Sequence, residues 1–226
     1  ISHEIPPQDV MAGAWVVRDA APYFPEDTIH LVVVDPGVGT GRSAVVLESE
    51  GQIYVGPDNG IFSLITGEQE YRAYRLTDES YWRKARSRTF HGRDVFAPVA
   101  AHLANGVAPA ELGDPIQELV TYRWATPIAD HDGIQGWVIH IDRFGNLITN
   151  IPQEMLLEVT GGKTFKIYIG NTILKALSET FAEVEEGDPV AYIGSSGMLE
   201  VAVNKGDAGE MLSVRKGAQL SIVLQK

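Results

Sequence analysis

The chain has no cysteine among its 226 residues. That excludes disulfides, thiolate metal sites and a cysteine nucleophile, and it makes a reducing cytoplasm the expected location. No apolar run approaches the roughly 20 residues that cross a bilayer, so no membrane partner is expected. No secretory leader is visible. Basic residues are scarce, 18 against 30 acidic, for a formal charge of −12. Nucleic acid is therefore not an expected partner. The acidic surface favours solubility and, mildly, a cationic ligand. Three chemical signatures are missing as well. The glycine-rich segment at 35–42 lacks the Gly-Lys-Ser/Thr of a phosphate loop, and the chain has no Gly-x-Ser-x-Gly elbow and no His-x-x-x-His or Glu-x-x-His pair. Nucleoside triphosphate binding, serine acyl-enzyme chemistry and a zinc site are thus not expected.

What remains is an ordinary globular composition, 44% hydrophobic and 21% charged, long enough for one large domain or two small ones. The chain begins at Ile1 rather than Met, which predicts a segment ahead of it. Pro6-Pro7-Gln8-Asp9 reads as a helix entry, with Asp9 suited to the positive end. Val10, Ala14, Val17 and Ala21 then recur at helical spacing up to Pro22. Residues 29–34 form a β-branched run of the kind buried on both faces of a parallel sheet. Short strands follow at 44–47 and 53–55, then a turn cluster at 56–60 and a helix over 94–103. Strand and helix alternate in this half, which reads as α/β. Residues 107–135 are proline-bearing and aperiodic. From Gly136 onward, short strands bounded by Gly, Asn or Asp dominate, with brief helices expected at 153–158 and 207–212. That half reads as an all-β barrel or sandwich.

Three glycine-rich, polar segments carry the candidate chemistry. Asp35-Pro36-Gly37-Val38-Gly39-Thr40-Gly41-Arg42 directly follows the first strand run. In open α/β sheets, ligands bind beyond the carboxyl ends of strands. Arg42 lies where its guanidinium can return toward Asp35, either to serve a ligand or simply to brace a turn. Phe90-His91-Gly92-Arg93-Asp94 places His91 in a loop beside glycine, where its proton affinity suits transfer near neutrality. Arg93 and Asp94 read chiefly as a structural pair at a helix start. Asp142-Arg143-Phe144-Gly145-Asn146 ends a strand with hydroxyl-binding, stacking and amide groups, or forms an Asx-rich turn. Ser195-Ser196-Gly197 followed by Glu200 is another polar turn leading into a strand.

Six segments in order resemble the S-adenosyl-L-methionine hydroxide adenosyltransferase family, which is related to the fluorinases and chlorinases. They are residues 5–9, 33–40, 55–60, 89–94, 144–150 and 199–204. The resemblance runs nearly end to end. It implies a Rossmann-like α/β N-terminal domain with a mainly parallel sheet, followed by an all-β barrel. The expected boundaries are 1–118 for the first domain, lacking its first strand and helix, 119–135 for a linker and 136–226 for the barrel. It also implies a homotrimer with active sites between subunits. The implied reaction is hydrolysis of S-adenosyl-L-methionine (SAM) to adenosine and L-methionine, with SAM as substrate and no cofactor or metal.

The family's Asp–Arg–His set falls on Asp35, Arg42 and His91. Its ligand-binding positions fall on Asn146, Ser195, Glu200 and Val203, with Gln8, Asp142 and Phe144 close by. Either Asp35 or His91 is the acceptor of the water proton. Two other readings accompany this one. A SAM-dependent halogenase is disfavoured because Asp35 would repel a halide, and because halogenases resemble Tyr–Pro at Asp35-Pro36. A non-catalytic SAM or adenosine binder, truncated at its N-terminus, is the third.

Overall fold

The computed structural model describes residues 1–67 and 70–225. The chain divides into two compact units, Ile1–Tyr122 and Arg123–Lys226. Each has its own core.

In the first unit, α1 (Val10–Ala20) starts where Asp9, read from sequence as suited to the positive helix end, is the N-cap and accepts the backbone N–H of Ala12 at 3.0 Å. It is preceded by a tight turn in which the Asp9 N–H reaches the Pro6 carbonyl at 3.1 Å. Pro7 and Gln8 are the central residues of that turn, and Gln8 has φ of 67°. Proline at the first central position and positive φ at the second are the marks of a type II turn, where glycine is the usual choice for the second.

Five strands follow: β1 (Ile29–Leu31), β2 (Ala44–Ser49), β3 (Gln52–Pro57), β4 (Tyr71–Leu76) and β5 (Gly113–Ile116). Their order in the sheet is β1-β3-β2-β4-β5. The expected mainly parallel sheet is in fact mixed: β1 pairs with β3 in parallel, and β3–β2, β2–β4 and β4–β5 are antiparallel. The reason is local. Glu50 and Gly51, with φ of 48° and 73°, form a two-residue hairpin between β2 and β3. Such a short connection can only join antiparallel strands.

Alternate residues of this sheet feed two cores. Val45, Leu47 and Tyr54 pack with Val10 and Val17 of α1 and with Ile61 and Ile65 around α2 (Ser63–Thr66). Val46 and Val55 face the other way, onto Val95, Phe96, Val99 and Leu103. Helices thus cover both faces of the sheet, each fully buried large apolar side chain contributing roughly 1.5–3 kcal/mol. The run at 29–34 departs from the expected two-sided burial. β1 is an edge strand among the described residues, and Leu31 and Val33 are exposed. The helix predicted over 94–103 is also modified. Gly92–Phe96 is a π-helical turn that leads into α3 (Ala97–Ala104).

The second unit is antiparallel throughout. Its strands are β6 (Ile128–Asp130), β7 (Gly133–Ile141), β8 (Leu147–Pro152), β9 (Phe165–Ile169), β10 (Thr172–Leu174), β11 (Pro189–Ile193), β12 (Met198–Val203) and β13 (Gln219–Leu224). The order is β10-β9-β13-β7-β8-β12-β11, with β6 pairing to β7. Edge strands β10 and β11 come into contact, so the sheet curls into a nearly closed barrel. Ile151, Ile167, Leu199, Val201 and Leu220 fill its core. The short helices α4 (Gln153–Thr160) and α5 (Ala208–Met211) lie where the turn chemistry predicts them.

Candidate functional site

Beyond the carboxyl end of β1 the chain keeps its place in the sheet. The Val32 N–H bonds to the Val55 carbonyl at 2.9 Å, and Asn59 Nδ2 holds the Val34 carbonyl at 2.8 Å. Asp35 comes next. The glycine loop then turns back so that Arg42 meets it. Arg42 Nε donates to Asp35 Oδ1 at 2.9 Å and to Oδ2 at 3.0 Å, and Nη2 donates to Oδ2 as well. The two side chains are only 10% and 6% accessible, so water does little to weaken the pair. Arg42 Nη1 also donates to the Ser43 carbonyl at 3.3 Å, and the guanidinium lies 5.1 Å over the Phe96 ring. Its position is therefore fixed from three sides.

His91 joins this pair through a 3.1 Å contact between its Nδ1 and Arg42 Nη2. The three residues that sequence nominated as a set do meet. Burial lowers the proton affinity of His91, and the Arg42 charge lowers it further; Arg86 acts in the same direction, while Asp35 and Asp94 oppose. Asp94 holds the segment that carries His91. Its carboxylate is fully buried and accepts Arg93 Nε at 2.8 Å, Arg93 Nη2 at 3.0 Å and the Ser87 N–H at 2.8 Å. The Arg93 bond, then the Ser87 N–H, keep this carboxyl well below the usual carboxylate range. The sequence reading of Arg93 and Asp94 as a structural pair describes this contact. The glycine loop and the residue 83–90 segment touch directly: a Cβ on Gly39, whose φ is 77°, would sit 2.7 Å from the Arg88 carbonyl oxygen.

A hollow of about 470 Å3 adjoins Asp35. The turn of Pro6, Pro7 and Gln8 forms one wall, and Val34, Pro36 and Val38 contribute to the other. Gln8 thus lines the same cavity as Asp35.

The remaining candidates lie in the second unit. Asp142 follows β7, and its carboxylate accepts the N–H of Phe144 at 2.8 Å, the N–H of Asn146 at 2.9 Å and Asn146 Nδ2 at 2.8 Å. This is the Asx-rich turn, and it presents Phe144 at 76% exposure. Glu200, on β12, is buried and accepts the Tyr192 hydroxyl at 2.7 Å through Oε2. Burial raises the Tyr192 phenol's pKa, and the Glu200 bond and charge raise it further, with a contribution from Asp142. The Asp142 turn and the Glu200 pair are thus electrostatic neighbours. Gly194 makes room for Glu200, whose Oε1 would lie 1.8 Å from a Cβ there. Ser195 is exposed in the turn between β11 and β12. Val203 is buried in the barrel core, and its carbonyl accepts the Gly206 N–H at 3.0 Å.

Sequence reasoning missed Tyr192 and Phe96. Tyr192 was within reach: folding the β11–β12 hairpin about residues 194–197 pairs it with Glu200. Phe96 under Arg42 had no such signal.

Residues 1–113 match the model of the SAM hydroxide adenosyltransferase N-terminal domain, and residues 136–221 match that of the C-terminal domain. The chain belongs to the SAM hydroxide adenosyltransferase family. A Thermus thermophilus relative named (R)-S-adenosyl-L-methionine hydrolase is 42% identical over 99% of this chain and 86% of its own length. A Methanocaldococcus jannaschii protein of the same name is 35% identical over 99% of this chain and 81% of its own. The family's halogenating relatives are more distant: a fluorinase of Actinopolyspora mzabensis is 28% identical over 98% and 85%. A solved structure of a conserved protein from Thermotoga maritima superposes with a TM-score of 0.86 at 35% identity, covering 98% of this chain and 87% of that one.

Proposed function

We propose that this chain hydrolyses S-adenosyl-L-methionine to adenosine and L-methionine. The observation that carries this reading is the Asp35–Arg42–His91 array beside a hollow large enough for part of such a ligand. The chemistry is displacement at the ribose 5′ carbon. A sulfonium leaves as a neutral thioether, so the leaving group needs no acid, metal or cofactor. What it needs is one water, held in line with the C–S bond and relieved of a proton. A carboxylate and an imidazole fixed by one guanidinium supply both functions. The hydrolase names of relatives at 35–42% identity support the same reaction.

Halide as nucleophile is the second reading, and the fluorinase relatives keep it in view. The side chain of Asp35 argues against it. A halide needs donors and suffers repulsion from a carboxylate in a little-hydrated site. For the active form we propose a cytoplasmic homotrimer. Gln8, Asp35, Arg42 and His91 come from one subunit, and Asp142, Phe144, Asn146, Ser195, Glu200 and Val203 come from the next.

The test is chromatography of purified protein incubated with SAM, once with chloride and once in halide-free buffer. Adenosine and methionine in both, lost in Asp35→Ala, is the expected result. A chlorinated nucleoside formed only with chloride would replace hydrolysis with halogenation. Ligand bound without any product would make this a binding protein.

A further inference from the structure

Arg42 dictates which nitrogen of His91 carries the proton. A guanidinium has N–H donors and no lone pair to offer. Its Nη2 lies 3.1 Å from His91 Nδ1, so Nδ1 must be the acceptor of that contact. A neutral imidazole has one protonated and one bare nitrogen; with Nδ1 bare, the proton sits on Nε2. The alternatives are worse. A proton on Nδ1 would aim one N–H at another. A doubly protonated ring would do that and also set a second cation against Arg42. Around the ring, Arg42 and Arg86 disfavour the cation, while Asp35 and Asp94 favour it. Burial adds to the arginines, so the neutral ring prevails. Arg42 has little freedom to swing away, given its fork on Asp35, its bond to Ser43 and its seat over Phe96. Among the described residues the His91 imidazole makes no other hydrogen bond, which leaves Nε2–H as its working group.

We infer that His91 serves the reaction as a hydrogen-bond donor, its Nε2–H holding the oxygen of the nucleophile, and that it does not take the proton. This rests on the hydrolysis proposed above. The proton then goes to Asp35. Oδ2 already receives Nε and Nη2 of Arg42, whereas Oδ1 receives Nε alone and retains more lone-pair capacity. As the water oxygen bonds to C5′, the C5′–S electron pair withdraws onto sulfur. One water proton passes to Asp35 Oδ1 and onward to solvent. A cationic substrate and water become adenosine, zwitterionic methionine and one proton. Throughout, the imidazole stabilises hydroxide character on the oxygen without changing its own charge.

Two measurements decide. Side-chain 15N NMR of the intact, histidine-labelled protein should show a bare Nδ1 and a protonated Nε2 at His91. A proton on Nδ1 overturns the inference. Kinetically, His91→Gln keeps an amide N–H near the Nε2 position but has no basic nitrogen. It should hold kcat within about tenfold of wild type, whereas His91→Leu should fall by about a hundredfold or more. The wild-type rate should decline at a pH below the ordinary histidine value of about 6.5, and that decline should vanish in His91→Gln. A Gln variant as inactive as Leu, in protein that folds normally, overturns the donor role alone. Wild-type protein that releases no adenosine refutes the hydrolysis reading itself, whichever nitrogen carries the proton.

Discussion

Arg42→Lys preserves charge and removes the fork. Arg42 reaches both oxygens of Asp35 and also His91, through Nε and Nη2. A lysine ammonium at the same place keeps one of those contacts. Two charge-assisted hydrogen bonds are lost, at about 1.5–3 kcal/mol each, which sets a ceiling of about 3–6 kcal/mol. The retained cation offsets part of this. The near-absence of water at side chains 10% and 6% accessible prevents fuller relief. The expected loss is about 2–4 kcal/mol in the first unit. Urea unfolding would measure it, on a background in which Trp124 and Trp137 are replaced by Phe so that Trp15 and Trp82 report alone. The kcat for adenosine release should fall by about 100–1,000-fold, since Asp35 and His91 lose their common mount. Stability within about 0.5 kcal/mol of wild type, with activity within about threefold, would refute the claim that the fork organises the site.

Gln8→Gly should raise stability by up to about 1 kcal/mol, because φ of 67° is strained for glutamine and natural for glycine. Adenosine affinity by calorimetry should fall with it; unchanged affinity would remove Gln8 from the binding surface. His30 is buried against Tyr54 and Gln52, and burial lowers its pKa despite the Gln52 bond. The unfolded chain therefore binds the extra proton first, and stability should decline as pH drops below about 6.5 toward the folded value. His30→Phe should flatten that part of the urea-midpoint profile; an unchanged slope would assign it elsewhere. Phe144→Ala should leave stability within about 0.5 kcal/mol, given its 76% exposure, yet weaken adenosine binding about tenfold if the ring stacks on ligand. An unaltered Kd would make Phe144 only a turn residue.

Much of the first unit was legible because its signals are local. Asp9 at the positive end of a helix, the apolar run ending at Asp35, and seven residues from Asp35 to Arg42 are all short-range facts. The meeting of His91 with Arg42 spans 49 residues and was legible only through resemblance. The β-branched run at 29–34 does lie parallel to its neighbour β3, but it carries no information on the direction of β2, β4 and β5, which pair antiparallel. The decisive signal was the Glu50-Gly51 turn. In the barrel, strand positions followed from Gly, Asn and Asp punctuation, but the Tyr192–Glu200 pair required the hairpin register first.

The π-helical turn at Gly92–Phe96 accommodates one residue more than an α-helical turn would. The inward face of the helix is pinned downstream, where Phe96, Val99 and Leu103 are buried against the sheet. Removing a residue from the bulge would therefore leave that face where it is and rotate everything upstream by about 100° around the axis. His91 would swing off Arg42, and the buried Asp94 and Val95 within the turn would shift with it. The bulge acts as an angular offset between a packing problem and a chemical one, setting the direction of His91 apart from that of the buried stripe.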